Sequence, residues 1–436
     1  MMGTGNRERG TGGRVSPRAA RPMKPSGIPW LGDVPEGWGT CRVGYLMEEI
    51  NRRSADGKEE PLSMSQKLGI VPSREIEVAN PASSYVGAKI VAPGDLVLNK
   101  LKAHLGVFAI SKYDGVVSPD YSVYRVYDDV SASYLNYLFH TPVCISEFRR
   151  RITGVAVGFN RLYTSEFFKI QVPLPPLPEQ RAIAERIDCE VARVDALREK
   201  IKREIERLGD YKKSLIAETV TRGLRKRKMK PSGISWLGDV PAEWEVIPLF
   251  KLVCQVKLPN DGMVEKNLLS LSYGRIIRKD METASGLVPE NYAGYNRIEA
   301  NDIVLRLTDL QNDQKSLRVG LSQERGIVTS AYLTIRPNAD CIADYLAYVI
   351  KVFDFKKGFY GIGSGVRQSL KFSEVKKIFI ALPPLPEQRE IAAYLDRAVS
   401  RIDAVVARRK AQVEKLESFK RSLIQEYVTG KREVCL

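Results

Sequence analysis

Polar and cationic side chains follow a matching apolar run in each half of this 436-residue chain. The runs are Gly94–Leu98 and Asn301–Leu305, and both are predicted to be buried strands. Behind the first stand Lys100, Lys102 and His104, and behind the second stand Arg306, Thr308, Asp309 and Gln311. Arginine and glutamine can hydrogen-bond a flat partner through two atoms at once, whereas lysine mostly neutralises an anion. These residue types favour recognition of a ligand over the making or breaking of bonds.

A glycine-containing loop comes later in each half, over Gly154–Arg161 and Gly361–Gln368. The polar residues of interest are Asn160 and Arg161 in the first loop and Arg367 and Gln368 in the second. Glycines let a backbone approach a phosphate or another chain closely. Neither loop has the GxxxxGK(S/T) spacing of a nucleotide-binding loop, so ATP binding is disfavoured. A loop that faces nucleic acid and a plain surface turn both remain open.

Cysteine and histidine are too sparse for a metal cluster. The six cysteines form no CxxC pair, and the histidines are His104 and His140. We therefore predict reduced thiols, no metal site and a cytoplasmic location. No apolar run is long enough to cross a membrane, and the arginine-rich beginning lacks the apolar core of a signal peptide.

The net charge of +16 points to a polyanionic partner, with nucleic acid first and an anionic membrane surface second. The charge is uneven. Residues 1–23 hold five Arg and one Glu, and residues 222–230 hold six Lys or Arg and no acid. We predict that residues 1–23 form a disordered basic tail and that residues 224–229 form a basic linker.

The elements that would position these residues are duplicated. The motif LPPLPEQR occupies residues 174–181 and again 382–389, and each copy precedes a long helical pattern. Its prolines suit the start of a helix, and Gly223 and Gly430 suit the two ends. We predict one long helix within residues 174–223 and a second within residues 382–430.

Apolar residues recur at every seventh position of both helical patterns, which is the period of a coiled-coil seam. The first seam comprises Ile187, Val194, Ile201, Leu208 and Leu215, with Ile183 and Leu197 on the same face, and the second comprises Leu395, Ile402, Leu416 and Leu423. Arg409 interrupts the second seam. A single copy would favour association between chains. Two copies in one chain instead favour a pair within the chain.

Another duplicated segment precedes each variable block. Lys24–Pro35 reappears as Lys230–Pro241, and a tryptophan follows each, at Trp38 and Trp244. We interpret the four tryptophans of the chain as packing anchors. The two blocks share strand-like anchors, including Tyr121–Arg125 and Tyr332–Arg336. The segments between these anchors differ in sequence and length. We predict two α+β domains with a common core and different loops, over residues 24–173 and 230–381.

This arrangement of variable blocks, glycine-containing loops, PPLPEQR motifs and long helices resembles the specificity subunit of type I restriction–modification enzymes. The resemblance covers about residues 24–430, and the duplicated motif is its most specific element. It implies an α+β chain with two pseudo-repeated α/β target recognition domains. Two long conserved helices would separate these domains and form an antiparallel intramolecular coiled coil. Each domain would read one half of a split sequence in double-stranded DNA.

The resemblance also implies that this chain is not an enzyme. It would dock two methyltransferase (modification) subunits, which recruit restriction (translocase–nuclease) subunits. S-adenosylmethionine, ATP and Mg²⁺ would belong to these partners, with no cofactor in this chain and no membrane partner. The sequence agrees, since we find no (D/N)PP(Y/F) methyltransferase motif, no Walker A loop and no clear paired-carboxylate nuclease pattern.

The residues behind the strands and in the loops are then candidate DNA contacts, because Arg, Asn and Gln can bond base edges bidentately. The candidates are Lys100, Lys102, His104, Asn160, Arg161, Arg306, Thr308, Asp309, Gln311, Arg367 and Gln368. Two alternatives stay open. One is a coiled-coil scaffold that binds protein without sequence-specific DNA binding, and the other is a nucleic-acid enzyme with an unrecognised site.

Overall fold

The computed structural model describes residues 21–66, 68–76, 84–153, 161–279, 291–310, 317–362 and 369–434. The chain divides into two compact units. The first unit comprises Met1–Glu199 and Val413–Leu436, and the second comprises Lys200–Gln412. Each unit therefore combines one variable block with part of both long helices.

The first unit contains twelve of the described strands and the start of a long helix. The strands are β1 (Met23–Pro25), β2 (Asp33–Pro35), β3 (Gly39–Arg42), β4 (Met47–Ile50), β5 (Leu62–Ser65), β6 (Gly69–Pro72), β7 (Lys89–Val91), β8 (Leu96–Asn99), β9 (Phe108–Ile110), β10 (Gly115–Val117), β11 (Tyr121–Val126) and β12 (Gln171–Leu174). The helices are α1 (Ala132–Phe139), α2 (Pro142–Arg151), α3 (Thr164–Phe167) and α4 (Leu177–Arg222), which continues into the second unit.

The second unit repeats this order of elements. Its described strands are β13 (Met229–Pro231), β14 (Asp239–Pro241), β15 (Glu245–Pro248), β16 (Val253–Val256), β17 (Leu269–Ser272), β18 (Arg275–Arg278), β19 (Asn296–Ile298), β20 (Ile303–Leu305), β21 (Val319–Leu321), β22 (Gly326–Val328), β23 (Leu333–Pro337) and β24 (Phe379–Leu382). Its helices are α5 (Ala343–Phe355), α6 (Phe372–Val375) and α7 (Leu385–Val428), whose last part belongs to the first unit.

A four-stranded antiparallel sheet with the same strand order forms the centre of each unit. The order is β4-β11-β8-β9 in the first unit and β16-β23-β20-β21 in the second. Every residue of β8 and β20 is buried, which confirms the prediction of buried strands. Because side chains alternate between faces, Leu96 and Leu98 enter the main core while Val97 enters a smaller cluster. The fold is therefore α+β, as predicted.

Local sequence chemistry determines where the long helices end. Helix α4 spans 46 residues and α7 spans 44, and each is followed closely by a glycine with left-handed backbone, Gly223 (φ 75°) and Gly430 (φ 73°). A Cβ atom at Gly430 would lie 2.3 Å from Cδ of Pro35. Both the backbone conformation and the packing therefore require glycine at this position.

The glutamine of each PPLPEQR motif ties the long helix to the recognition block. Gln180 accepts a hydrogen bond from the Ser131 amide at 2.8 Å and donates one to the Pro175 carbonyl at 2.8 Å. Gln388 repeats this with the Ile342 amide at 2.8 Å and the Pro383 carbonyl at 2.9 Å. Both glutamines are buried, so each motif forms the same structural junction within its own unit.

The glutamate of each motif forms an ion pair with an arginine from a segment that the sequence predicts to be a tail or a linker. Arg21 donates to Glu179 at 2.5 Å, and Arg227 donates to Glu387 at 2.6 Å. Arg21 belongs to the predicted tail of residues 1–23, and Arg227 belongs to the predicted linker of residues 224–229. In the structure both arginines are instead tied into the fold, and β1 and β13 begin at Met23 and Met229. Residues 1–20 lie outside the described residues.

The two long helices run antiparallel in each unit. Their interhelical ion pairs are Asp195–Lys420 (2.8 Å) and Arg198–Glu417 (2.6 Å) in the first unit, and Glu204–Arg409 (3.2 Å) and Lys212–Asp403 (2.6 Å) in the second. As the residue number increases along α4, the number of the paired residue in α7 decreases, so the two helices are antiparallel. Asp195–Lys420 and Asp403–Lys212 are related by the duplication, so this ion pair occurs twice.

The predicted seam residues lie on the paired faces to different depths. Ile187, Val194, Ile201, Leu395, Ile402 and Leu423 are buried, and Leu208, Leu215 and Leu416 are half-buried. Leu197 is predicted to lie on this face, but it is 47% exposed. Arg198, four residues after Val194, takes the facing position and pairs with Glu417, because the second row of a seam alternates spacings of three and four.

Removing the motif glutamate should cost more stability in the second unit than in the first. Glu387 also accepts a hydrogen bond from Trp244 Nε1 at 3.1 Å, whereas Trp38 Nε1 has no partner among the described residues. We expect Glu387→Ala to cost about 3 kcal/mol, since it removes the acceptor of Trp244 Nε1 and leaves the mostly buried Arg227 with a 3.5 Å contact to Glu243. Glu179→Ala should cost about 1–2 kcal/mol. Urea unfolding of the two variants measures the difference, and equal losses would contradict this explanation.

Candidate nucleic-acid interface

The second unit has an open cleft of about 480 Å³ at the ends of its central strands. Gln255 of β16, Asn296 of β19 and Tyr332 beside β23 line it with polar side chains. None of these three side chains hydrogen-bonds another described residue. Lys257, Lys371 and Lys376 line the same cleft.

This composition suits a nucleic-acid ligand. Unpaired amides can bond base edges through a donor and an acceptor at once, and lysines can neutralise phosphates. The cleft is also lined by Leu307, Leu333 and Phe372, which give it an apolar surface. It has groups for binding and orienting a ligand, and we identify no nucleophile–base pair among its lining residues.

The first unit carries an ionic cluster at the equivalent place. Lys89 of β7 corresponds to Asn296, and Glu49 of β4 corresponds to Gln255, because the paired strands match in the two sheets. Lys89 Nζ lies 3.3 Å from Glu49 Oε1, and Ser122 donates to the same oxygen at 2.9 Å. The same position of the fold therefore holds charged groups in one unit and neutral amides in the other.

Burial affects the charges of this cluster. Burial alone would raise the pKa of Glu49, but hydrogen bonds from Thr164 and Ser122 and the charge of Lys89 lower it overall. Burial, followed by the nearby charge of Lys89, lowers the pKa of Lys100. A phosphate beside Lys100 would favour its charged form, so this lysine is suited to an anionic ligand.

The structure brings together two of the five candidates in the first unit. Lys100 and Arg161 share the ionic cluster, and Arg161 Nη2 lies 3.5 Å from Asp120 Oδ1. Lys102 is exposed. His104 lies in a short turn against α2, where its carbonyl oxygen accepts a hydrogen bond from Arg149 at 3.1 Å. Asn160 lies outside the described residues.

Of the second unit's candidates that the structure describes, only Thr308 lines the cleft. Arg306 and Thr308 also provide carbonyl oxygens that accept hydrogen bonds from the buried Arg318, at 3.0 and 3.1 Å. Asp309 is exposed and has a left-handed backbone (φ 55°). The other candidates, Gln311, Arg367 and Gln368, lie outside the described residues.

Sequence reasoning missed Gln255, Asn296, Glu49 and Lys89. They stand on strands that are remote from each other along the chain, so no local spacing joins them. One signal was available. The shared anchors Tyr121–Arg125 and Tyr332–Arg336 mark the strand beside which Tyr332 enters the cleft.

The described residues hold no group of three or more His, Cys, Asp or Glu side chains placed to bind a metal ion. Cys41, Cys144, Cys189, Cys254 and Cys341 are free thiols, and Cys435 lies outside the described residues. None of the described helices has the length and apolarity needed to cross a membrane.

Comparison with known proteins agrees with this architecture. The chain is 25% identical to the type I restriction enzyme MjaVIII specificity subunit of Methanocaldococcus jannaschii, covering 92% of this chain and 94% of the relative. It is 22% identical to the putative MjaX specificity subunit of the same organism, covering 93% and 96%.

Two solved structures share the fold. A chain from a study of complex assembly and conformational transition of the type I R-M system has a TM-score of 0.67 at 14% identity, covering 92% of this chain and 99% of that one. The HsdS subunit from Thermoanaerobacter tengcongensis has a TM-score of 0.53 at 16% identity, covering 92% and 98%. The family profile of the type I restriction modification DNA specificity domain matches residues 35–207 and 281–415, and the chain belongs to this family.

Proposed function

We propose that this chain is the subunit that reads a bipartite DNA sequence for a type I restriction–modification complex, with one half-site read by each unit. The observation that supports this most directly is that the polar cleft of the second unit and the ionic cluster of the first unit occupy equivalent positions of the fold. One position of a repeated fold carries Gln255 and Asn296 in one unit, and Glu49 and Lys89 in the other. Phosphate contacts position a protein on DNA, whereas base contacts specify the sequence. Two equal folds with different polar groups therefore suit two different half-sites.

The chemistry of such a complex is assigned to its partners. We propose that this chain carries no catalytic residue and no cofactor of its own. S-adenosylmethionine would be held by methyltransferase subunits, and ATP and Mg²⁺ would be used mainly by restriction subunits. The double-stranded DNA and these subunits are then the proposed partners of the chain, in keeping with its DNA specificity domains and with a structural neighbour from a type I R-M assembly.

Exposed apolar residues on the long helices support docking of two methyltransferase subunits. The first unit exposes Leu197 and Phe419, each 47% exposed, and the second exposes Tyr211 (58%) and Val405 (40%). The duplication relates Leu197 to Val405 and Tyr211 to Phe419. Phe419 and Tyr211 each precede the lysine of the repeated interhelical ion pair. Two equivalent apolar patches suit two copies of one partner.

Single substitutions should separate the two half-sites. We expect Arg161→Ala to relax recognition of one half and Asn296→Ala to relax the other, each by about 1–3 kcal/mol if the lost contact is to a base. The measurement is methylation mapping by the chain reconstituted with methyltransferase subunits, on DNA libraries with each half randomised.

Arg42→Ala and Gln323→Ala are matched controls, since they remove an exposed arginine and an exposed amide from the same two units. The chain alone should show no methylation. Relaxation of both halves by one substitution would contradict independent readers. If DNA binding showed neither sequence preference nor a steep salt dependence, the protein-binding scaffold would be favoured instead.

A further inference from the structure

The loop between β16 and β17 in the second unit is closed at its base by a buried asparagine. Asn260 is completely buried and closes the loop through both ends of its amide, donating to the Glu265 carbonyl at 2.9 Å and accepting from the Glu265 amide at 3.0 Å. Its own backbone amide donates to the Tyr295 carbonyl at 2.8 Å. These bonds fix the two ends of the loop against each other and against Tyr295.

The tip of this loop presents apolar side chains to solvent. Met263 is 48% exposed and Val264 is 64% exposed. Met263 also has a left-handed backbone (φ 51°), directly after the left-handed Gly262 (φ 68°). This conformation disfavours residues other than glycine. An exposed methionine at a strained position contributes little to the core, so its side chain is free to contact a ligand outside the unit.

The first unit has the same loop with different chemistry. Ser54 is buried there and accepts a hydrogen bond from the Gly57 amide at 2.8 Å, as the Asn260 carbonyl accepts one from the Met263 amide at 2.8 Å. Gly57 also has a left-handed backbone (φ 71°), and it is followed by the exposed Lys58. A residue three positions after a buried polar anchor is thus glycine in one unit and methionine in the other.

The loop starts at the cleft. Lys257 lines the cleft, and Pro259 bridges to Asn296, which also lines it. The base of this loop therefore adjoins an amide that is suited to base edges, and the apolar tip follows it within a few residues. Among the four bases, only thymine presents a methyl group in the major groove.

We propose that Met263 and Val264 read a thymine by contact with its 5-methyl group within the half-site of the second unit. This inference rests on the proposed function and adds a base identity to it. The polar loop around Lys58 makes no such contact in the first unit. The two units then differ in specificity through this rigid loop as well as through the cleft.

The test uses the full chain assembled with methyltransferase subunits and its mapped DNA target. Each thymine in the half-site of the second unit is replaced singly by deoxyuridine, which removes only the methyl group. We expect one replacement to weaken binding about fourfold, which corresponds to about 0.8 kcal/mol for one buried methyl-sized group. Met263→Ala and Val264→Ala should reduce this difference between thymine and deoxyuridine.

Met263→Gly separates the contact from stability. It relieves the strained backbone, so we expect an unchanged or higher thermal midpoint together with loss of thymine discrimination. Ile277→Ala removes an apolar side chain that is 42% exposed elsewhere in the unit, and it should keep the fourfold difference.

Several outcomes would overturn the inference while leaving the proposed function intact. The first two are a half-site without thymine, and discrimination between thymine and deoxyuridine that survives in all three variants. The other two are an equal loss of affinity of the variants for thymine and deoxyuridine targets, and failure of Met263→Ala to assemble with methyltransferase subunits. The last two would identify a wedge between bases and a protein contact, respectively. Failure of the proposed function is distinct, because the wild-type complex would then show no preference for its target over a scrambled duplex.

Discussion

Inserting one heptad into each long helix, after Ile201 and after Arg409, is expected to lengthen the gap between the two half-sites by up to about three base pairs. Seven residues add roughly 10 Å to a helix, and base pairs are spaced by about 3.4 Å. Both helices pass from one unit to the other, so matched insertions extend the pair while preserving its seven-residue period. The bases read within each half should stay the same.

Methylation mapping on a library with fixed half-sites and variable gaps measures this effect. A heptad inserted into α4 alone is the control, and it should reduce folding or activity because its extra turns meet no partner. An unchanged gap in a folded and active double insertion would mean that something other than the helices sets the spacing. Helix tilt relative to the duplex would make the gain smaller than three base pairs.

Placing a charge in one apolar patch should remove one methyltransferase subunit from the complex. Phe419→Asp should abolish docking at the first unit, and Tyr211→Asp should abolish it at the second, because burying an unpaired carboxylate costs several kcal/mol. The double variant should bind no methyltransferase subunit. Native mass spectrometry of the assembled complexes reports the stoichiometry directly.

Ala196→Asp and Ala404→Asp are matched controls, since the duplication relates them and both lie on exposed helix positions opposite the seam. They should leave two subunits bound. If the Phe419→Asp and Tyr211→Asp variants also retained both subunits, the apolar patches would not be the docking surfaces. Loss of both subunits from either single variant would contradict independent docking.

Features set by neighbouring residues could be predicted well. The prolines of the two motifs and the glycines at Gly223 and Gly430 determine the helix limits through backbone geometry, which depends on only a few residues. The apolar runs before Lys100 and Arg306 became β8 and β20 for the same reason. Duplication then implied two units of one design.

Side-chain neighbours in the cleft could not be predicted in this way. Gln255, Asn296 and Tyr332 come from three strand regions that only long-range pairing brings together. The ion pair of Arg21 could not be predicted either, because its partner Glu179 is 158 residues away in the sequence. A position directly after a strand was also a poor guide, since His104 lies in a turn against α2.

The sequence by itself determined the duplication, the fold class, the long helices and the family, because each depends on local backbone chemistry or on a repeated motif. Only the tertiary structure decided which polar groups share the recognition face and which residues flank the helix seam. It also decided that Asn260 anchors a loop with an exposed apolar tip. These features depend on distances between residues remote in sequence, which strand pairing and core packing set.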